Sequence, residues 1–294
     1  MARLSTAAPR GPDVHANTAL MLIAHITDPH IGLKPGLLTG PVDPSGGLRR
    51  ALEHVRDLQP AIDVLLLTGD LADNGQAHDY AEIAAQLERA LPPPAAGGPR
   101  VLAIPGNHDL RSAARRQLAS VMPVADDAPG ECICLHATVG DMHLIGLDSV
   151  VPGAPHGALE ADQLGWLQRQ LAACAGQPVV LFMHHPPLVS GMSAMDNCGL
   201  LHGRTELGRL VDAHGGVQLI ACGHMHRPIV GQLGGAPVVV VPSSSHQLAL
   251  DLRPGAPVAC RFEPPMIGLY RWTPADGLAC HFSYIESFGP SHPI

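Results

Sequence analysis

Aromatic residues are scarce, with nine in 294 positions. So few stacking platforms suit single-stranded bases poorly. Basic residues are also few, 18 Lys and Arg against 26 Asp and Glu for a net charge of −8, and Lys34 is the only lysine. Affinity for nucleic acid comes largely from cations that displace counterions from phosphates, so no nucleic-acid polymer is expected as a partner. The seven cysteines (Cys132, Cys134, Cys174, Cys198, Cys222, Cys260, Cys280) contain no C-x-x-C pair, which argues against a zinc knuckle and a disulfide framework. Reduced thiols fit a cytoplasmic protein. The longest apolar runs are strand-sized, well below the ~18 residues that span a bilayer, so no membrane association is expected. Residues 1–19 lack the apolar run of a secretion signal and read as a flexible leader.

What is present is a globular mix, 46% hydrophobic and 15% charged, with 18 histidines. Histidine binds borderline metals and moves protons near neutral pH, so the excess raises the expectation of a metal site. Leu20–Thr27 reads as a buried strand stopped at Asp28-Pro29, and Ser45–Leu58 carries apolar residues at helical spacing. The alternation continues with strand Ile62–Thr68, helix Ala77–Leu91 and strand Arg100–Ile104. Cys132–Leu135 and Met142–Asp148 suggest a β-hairpin about residues 138–141. Helix Glu160–Cys174, strand Val179–Met183, helix Thr205–Ala213 and strands Val217–Cys222 and Pro237–Val241 follow. This order indicates an α/β fold with a mainly parallel sheet covered by helices. A domain over residues 20–250 is expected, and residues 251–294 form a C-terminal β-hairpin extension (Met266–Thr273 with Gly277–Ile285) packing on it. Residues 262–294 hold six of the nine aromatics, and the hairpin could serve either as a core lid or as a subunit contact, which leaves a homo-oligomer open.

The predicted strands end in short loops that carry metal-ligand residue types. These are Asp28-Pro-His30, Gly69-Asp70-Leu-Ala-Asp73, Gly106-Asn107-His108-Asp109, His184-His185 and Gly223-His224-Met-His226. In α/β sheets, ligands bind beyond the carboxyl ends of the strands, so these loops are expected to converge. Carboxylates, imidazoles and an amide form a mixed N/O donor set that suits manganese, iron or zinc better than calcium or magnesium. Such a set can hold two divalent ions, which polarise a phosphoryl oxygen and steady the leaving oxygen.

In order, D-x-H, G-D-x-x-D, G-N-H-D, H and G-H-x-H resemble the five motifs of the calcineurin-like metallophosphoesterases, spread over Asp28 to His226. Phe182-Met-His-His-Pro-Pro-Leu188, Met195-Asp196 and Ser245-His-Gln-Leu248 are similar to the class III cyclic-nucleotide phosphodiesterases and their glycerophosphodiesterase branch. The resemblance implies a four-layer α/β/β/α sandwich of mixed sheets with flanking helices. It also implies two metal ions, manganese or iron first and zinc or cobalt also compatible. One would be held by Asp28, His30, Asp70 and His226, the other by Asp70, Asn107, His184 and His224. A hydroxide between them would attack phosphorus. His108, beside Asn107, would stabilise the phosphoryl charge or protonate the leaving oxygen. Asp73 and Asp109 would orient imidazoles or hold loops, while His185 and His246 would support the ligands or touch substrate. The implied reaction is hydrolysis of small phosphodiesters, with 3′,5′-cyclic nucleotides such as cyclic AMP as the first reading and glycerophosphodiesters as the alternative.

Each motif alone has an ordinary reading as a turn or helix cap. Their joint occurrence at strand ends is what singles them out. His54 and His78 fall in predicted helices, His15 and His292 near the termini, and His136, His143, His156, His202, His214 and His281 in loops or strands without evident partners. His25 reads as packed in the first strand, and Met192 and Met195 as a candidate apolar substrate wall. A protein phosphatase of the same family would carry Arg and Glu where this chain has Asn74 and Asp109. Lacking that arginine, the site favours a monoanionic diester over a phosphomonoester. A scaffold that had lost catalysis would be expected to lack ligands, and none is missing.

Overall fold

The computed structural model describes residues 20–34, 36, 42–290 and 292, so the expected leader and His15 lie outside the described residues. In chain order, β1 (Met21–Ile26), α1 (Pro44–Asp57), β2 (Val64–Thr68), α2 (Ala77–Ala90), β3 (Arg100–Ile104) and α3 (Arg111–Gln117) come first. Next are β4 (Leu135–Val139), β5 (Met142–Leu147), β6 (Gly157–Ala158), α4 (Ala161–Ala173), β7 (Val179–Met183), α5 (Ser193–Asp196), β8 (Leu200–His202), α6 (Arg204–His214) and β9 (Val217–Cys222). The remainder is β10 (Ile229–Leu233), β11 (Ala236–Val240), β12 (Gln247–Leu248), β13 (Cys260–Arg261), β14 (Met266–Thr273) and β15 (Gly277–Tyr284).

Helix boundaries follow local chemistry. Asp43 caps α1 by accepting the Gly46 N–H at 2.9 Å, with Pro44 in the first turn, and Leu48, Ala51, Leu52 and Val55 bury one face. Glu160 and Gln163 form a reciprocal capping box that starts α4.

The strands build two stacked sheets rather than one. The first has the order β15-β14-β1-β2-β3, the second β10-β11-β9-β7-β5-β4. In the first sheet β1, β2 and β3 are parallel, with β3 at one edge and the antiparallel β14 and β15 at the other; in the second, parallel β11, β9, β7 and β5 form the middle with antiparallel β10 and β4 at the edges. In β2, Val64 and Leu66 face the second sheet while Leu65 and Leu67 face the core under α1 and α2. Both faces are covered, so β2 is apolar from Val64 to Leu67. Helices α4 and α6 pack together on the outer side of the second sheet, giving the α/β/β/α order.

Two local expectations are corrected. The β4–β5 hairpin begins at Leu135, not Cys132, and Thr138 and Val139 pair within it. The turn is Gly140-Asp141, where Gly140 takes φ +54° that a side chain disfavours. Helix α3 was not anticipated, because its sequence Arg-Ser-Ala-Ala-Arg-Arg-Gln buries only Ala113 and Ala114. The C-terminal hairpin is part of the first sheet: β14 pairs with β1 from Met21↔Trp272 to His25↔Gly268. No helix among the described residues is long and apolar enough to cross a membrane.

Candidate metal centre

The loops after β1, β2, β3, β7 and β9 meet at the carboxyl ends of the parallel strands. Among the described residues, the non-glycine residues with positive φ are Asp28 (51°), His30 (50°), Asp70 (47°), His224 (70°) and His226 (49°). Each of these sparsely populated conformations costs of order 1–3 kcal/mol and persists only where surrounding structure enforces it. All five are ligand candidates. Glycines let the loops approach: a Cβ at Gly69 would stand 2.6 Å from the Gly106 nitrogen and 2.7 Å from His184 Nδ1. A Cβ at Gly223 would meet Thr27 Oγ1 and Asp28 Oδ2.

Hydrogen bonds behind the imidazoles aim their free nitrogens inward. His30 Nδ1 lies 3.0 Å from Asp73 Oδ1, His184 Nδ1 2.8 Å from the Thr68 carbonyl, and His226 Nδ1 2.8 Å from the His246 carbonyl. Each acceptor requires Nδ1 to donate, which leaves the Nε2 lone pair of a neutral ring facing the centre. Those Nε2 atoms cluster: His30 to His226 at 3.2 Å, His184 to Asn107 Oδ1 at 3.1 Å and His184 to His224 Nδ1 at 3.2 Å. Asp70 Oδ2 faces both halves, 3.7 Å from His30 Nε2 and 3.4 Å from His184 Nε2. Its other oxygen accepts the His108 N–H at 2.9 Å. Asp28 Oδ2 accepts from the Thr27 hydroxyl and the His224 N–H, while Oδ1 points to His226 Nε2 at 3.2 Å.

Two buried atoms here, Asp28 Oδ1 and His224 Nε2, lack a hydrogen-bond partner among the described residues. Buried polar groups are normally satisfied, so the orphan Asp28 oxygen within a convergent N/O set fits a cation. The charge balance agrees. Burial alone would lower the His184 imidazole pKa, yet Asp70 lifts it to about 9. Burial alone would raise the carboxyls, yet His226 holds Asp28 and His184 holds Asp70 below the usual range. The cluster demands positive charge, whether from protons or metal ions.

The outer residues divide by contact. His108 Nδ1 lies 2.9 Å from the Asp73 carbonyl, and its exposed ring lies on the wall of a cavity of about 380 Å³. Against burial, the charge of Asp70 raises its pKa. Asp73 orients His30, as above, and receives the Asn74 amide at 3.1 Å. Asp109 touches no imidazole. Its carboxylate accepts the N–H groups of Leu71 (3.1 Å), Ala72 (3.0 Å) and Gly106 (2.8 Å) and the Tyr80 hydroxyl (2.9 Å), tying the Asp70 and Asn107 loops together. Burial and the Asp70 charge push its pKa to about 6. His185 is fully buried, off the cavity, between Ser149 Oγ (2.9 Å) and the Pro155 carbonyl (3.2 Å), with its ring against those of His184 and His224. His246 lines the cavity beside His226, with ring centroids 4.6 Å apart.

Leu33, Pro155, Met195, Cys198 and Leu248 form the apolar side of that cavity, and among the described residues no Arg or Lys lines it. Met192 lies instead in the core. Sequence reasoning missed Tyr80 and Ser243, whose hydroxyl donates to the Asp28 carbonyl at 2.6 Å. Neither carries a motif signal. His25 is a satisfied core residue, held by the Tyr270 hydroxyl at 2.9 Å and the Thr68 hydroxyl at 2.7 Å. The expectation that His136, His143 and His214 lack partners is corrected, and His54, placed in a predicted helix, has one too. His54 meets Ser283, His136 meets His143 and Gln170, and His214 meets the Cys174 carbonyl.

A sequence model of the calcineurin-like phosphoesterase family matches residues 21–228. A probable glycerophosphodiester phosphodiesterase GpdQ of Arcobacter nitrofigilis is 34% identical over 93% of this chain and 97% of its own. A cAMP/cGMP dual specificity phosphodiesterase of Mycobacterium tuberculosis is 32% identical over 80% of this chain and 70% of its own. Among solved structures, a dimetal phosphatase from Danio rerio superposes with a TM-score of 0.62 at 13% identity, covering 90% of this chain and 99% of that one.

Proposed function

The chain belongs to the calcineurin-like phosphoesterase family, and we propose that it is a metal-dependent phosphodiesterase acting on small diesters, 3′,5′-cyclic nucleotides in the first instance. The observation that carries this reading is the convergence of Asp28, His30, Asp70, Asn107, His184, His224 and His226, with lone pairs inward, at the base of one cavity. In our reading, Asp28, His30, Asp70 and His226 would hold one ion and Asp70, Asn107, His184 and His224 the other. Manganese or iron fits the mixed N/O donors, and zinc or cobalt is also accommodated. When bound, the pair supplies Lewis-acid polarisation of the phosphoryl group and neutralises charge that develops on it.

The remaining residues position and protonate. The Asp73 carbonyl holds the His108 ring with Nδ1 donating, so Nε2 faces substrate; in the imidazolium form, which the charge of Asp70 favours against burial, Nε2 carries the proton that goes to the leaving oxygen. Leu33, Met195, Cys198 and Leu248 offer an apolar wall to the nucleoside or alkyl portion. Arg111 is committed to Asp148 and Arg227 to Glu263, and among the described residues no guanidinium lines the cavity to clamp phosphate. That absence favours a diester, with one negative charge, over a monoester with nearly two. The seven free cysteines support a cytoplasmic location.

One observation favours the glycerophosphodiester reading. The similarity to the GpdQ relative spans 276 residues, whereas the cAMP/cGMP relative aligns over 234. The test is kcat/KM of the manganese-loaded enzyme for cyclic AMP, glycerophosphoethanolamine, a bis-aryl phosphodiester and an aryl phosphomonoester. Preference for cyclic AMP is the expected result, preference for glycerophosphoethanolamine selects the second reading, and turnover of the monoester alone overturns both.

A further inference from the structure

A second group of metal-binding side chains lies at the other end of the molecule. His136 on β4, His143 on β5 and Cys174 at the end of α4 bring one ligand atom each to within 4.8 Å of one another. His143 sits at the start of β5, opposite Val179 at the start of β7, which in turn faces Val217 at the start of β9. The centre described above lies beyond the opposite ends of these strands. At about 3.3 Å per residue, the length of β5 alone separates the two by more than ~13 Å.

The tautomers make the group unusual. Gln170 donates through Nε2 to Asp127 Oδ2 at 3.3 Å, so it turns Oε1 to His136 Nδ1 at 2.8 Å. Gln177 Oε1 likewise faces His143 Nε2 at 2.5 Å. A carbonyl oxygen only accepts, so both of these ring nitrogens donate. The nitrogens left over, His136 Nε2 and His143 Nδ1, face each other at 2.8 Å. In that arrangement of neutral rings they are two lone pairs in contact, which a shared cation relieves, as would a Gln177 amide turned to donate through Nε2. Beside them the Cys174 thiol has no better acceptor than the carbonyls of its own helix, Gln170 at 3.2 Å and Leu171 at 3.6 Å. Both imidazoles are half-buried, so the group is open to solvent ions.

We propose that His136, His143 and Cys174 form a separate transition-metal site that takes one zinc-class divalent cation. Two imidazoles and a thiolate suit zinc, cobalt or copper and exclude magnesium and calcium. Binding releases the Cys174 S–H proton to solvent and forms one metal–sulfur bond, with no change of oxidation state.

Cobalt distinguishes the two sites, because every ligand proposed for the other centre is nitrogen or oxygen. Protein stripped with chelator and loaded with cobalt is compared as wild type, His143→Gln, Cys174→Ser and Cys198→Ser, the last because Cys198 lines the catalytic cavity. We expect wild type to bind one more cobalt than His143→Gln. It should also show a near-ultraviolet thiolate-to-cobalt band that His143→Gln and Cys174→Ser lose and Cys198→Ser keeps. Diesterase activity of His143→Gln should match wild type. Equal stoichiometry in wild type and His143→Gln, or no thiolate band in wild type, overturns the site and leaves the two rings joined by a hydrogen bond or a shared proton. His143→Gln leaves the buried Cys174 intact, so the result does not depend on Cys174→Ser folding.

Discussion

The Nε2 atoms of His30 and His226 stand 3.2 Å apart, and neither neutral ring has a proton to offer the other, because Asp73 and the His246 carbonyl require both Nδ1 atoms to donate. The arrangement is pre-set for a cation. Removing the acceptor behind His30 frees its tautomer, and loss of such an orienting partner typically costs 10- to 100-fold in metal affinity. Asp73→Ala should therefore weaken metal binding by about that factor, read by competition with a chromophoric chelator. Chelation should lower the Tm of wild type, with added manganese restoring it. Unchanged affinity in Asp73→Ala would mean that the His30–Asp73 contact does not set the ring.

His108 separates chemistry from metal binding, since its side chain faces the cavity while only its backbone N–H touches Asp70. His108→Ala should retain two ions at the centre and slow kcat by roughly 10²–10⁴, the usual worth of a positioned general acid. The loss should be larger for an alkoxide leaving group than for an aryl oxide, which departs without a proton. Equal losses on both would assign His108 to charge stabilisation instead.

The donor set was legible because metal ligation restricts residue type and because the loops follow apolar runs whose ends are easy to find. Asp28, Asp70, Asn107 and His224 could be named from motifs and their place after strands. Which sheet each strand joins was not legible: β2 and β7 are equally apolar, and alternation cannot say which of two covered faces meets the other sheet. Asp109 was recognised as an auxiliary residue, but its partner Tyr80 lies on α2, in a stretch that reads as ordinary helix. His136 and His143 looked unremarkable because their contacts depend on a hairpin register that a turn one residue pair away would have changed.

Tyr80 is the clearest of the residues that act at a distance. Its hydroxyl donates to Asp109 and accepts the Leu110 N–H at 2.8 Å, and the residue is fully buried. Tyr80→Phe preserves the packing but strands a backbone donor and removes one of four donors to Asp109. The expected cost is about 1–3 kcal/mol of stability, measured by urea unfolding, with metal content unchanged. A neutral effect would show that water replaces the hydroxyl between the two loops.

His25 gives the fold its own pH dependence. Burial between the Tyr270 and Thr68 hydroxyls lowers its pKa from 6.5 to about 3, with Asp28 opposing the shift. Between these values the unfolded chain binds a proton that the folded chain refuses. Stability is therefore intact above 6.5 and falls as pH drops towards 3, by up to about 1.4 kcal/mol per pH unit from this residue alone. Other buried histidines add to the total slope, so the informative quantity is a difference. His25→Gln keeps an amide donor and acceptor near both hydroxyls but does not titrate. Its urea-unfolding free energy should change less steeply than that of wild type between neutral and mildly acidic pH, whatever its absolute stability. Parallel curves would mean that His25 takes up a proton in the fold, in which case Tyr270 and Thr68 both act as acceptors and the C-terminal hairpin is pinned to β1 by a charged rather than a neutral ring.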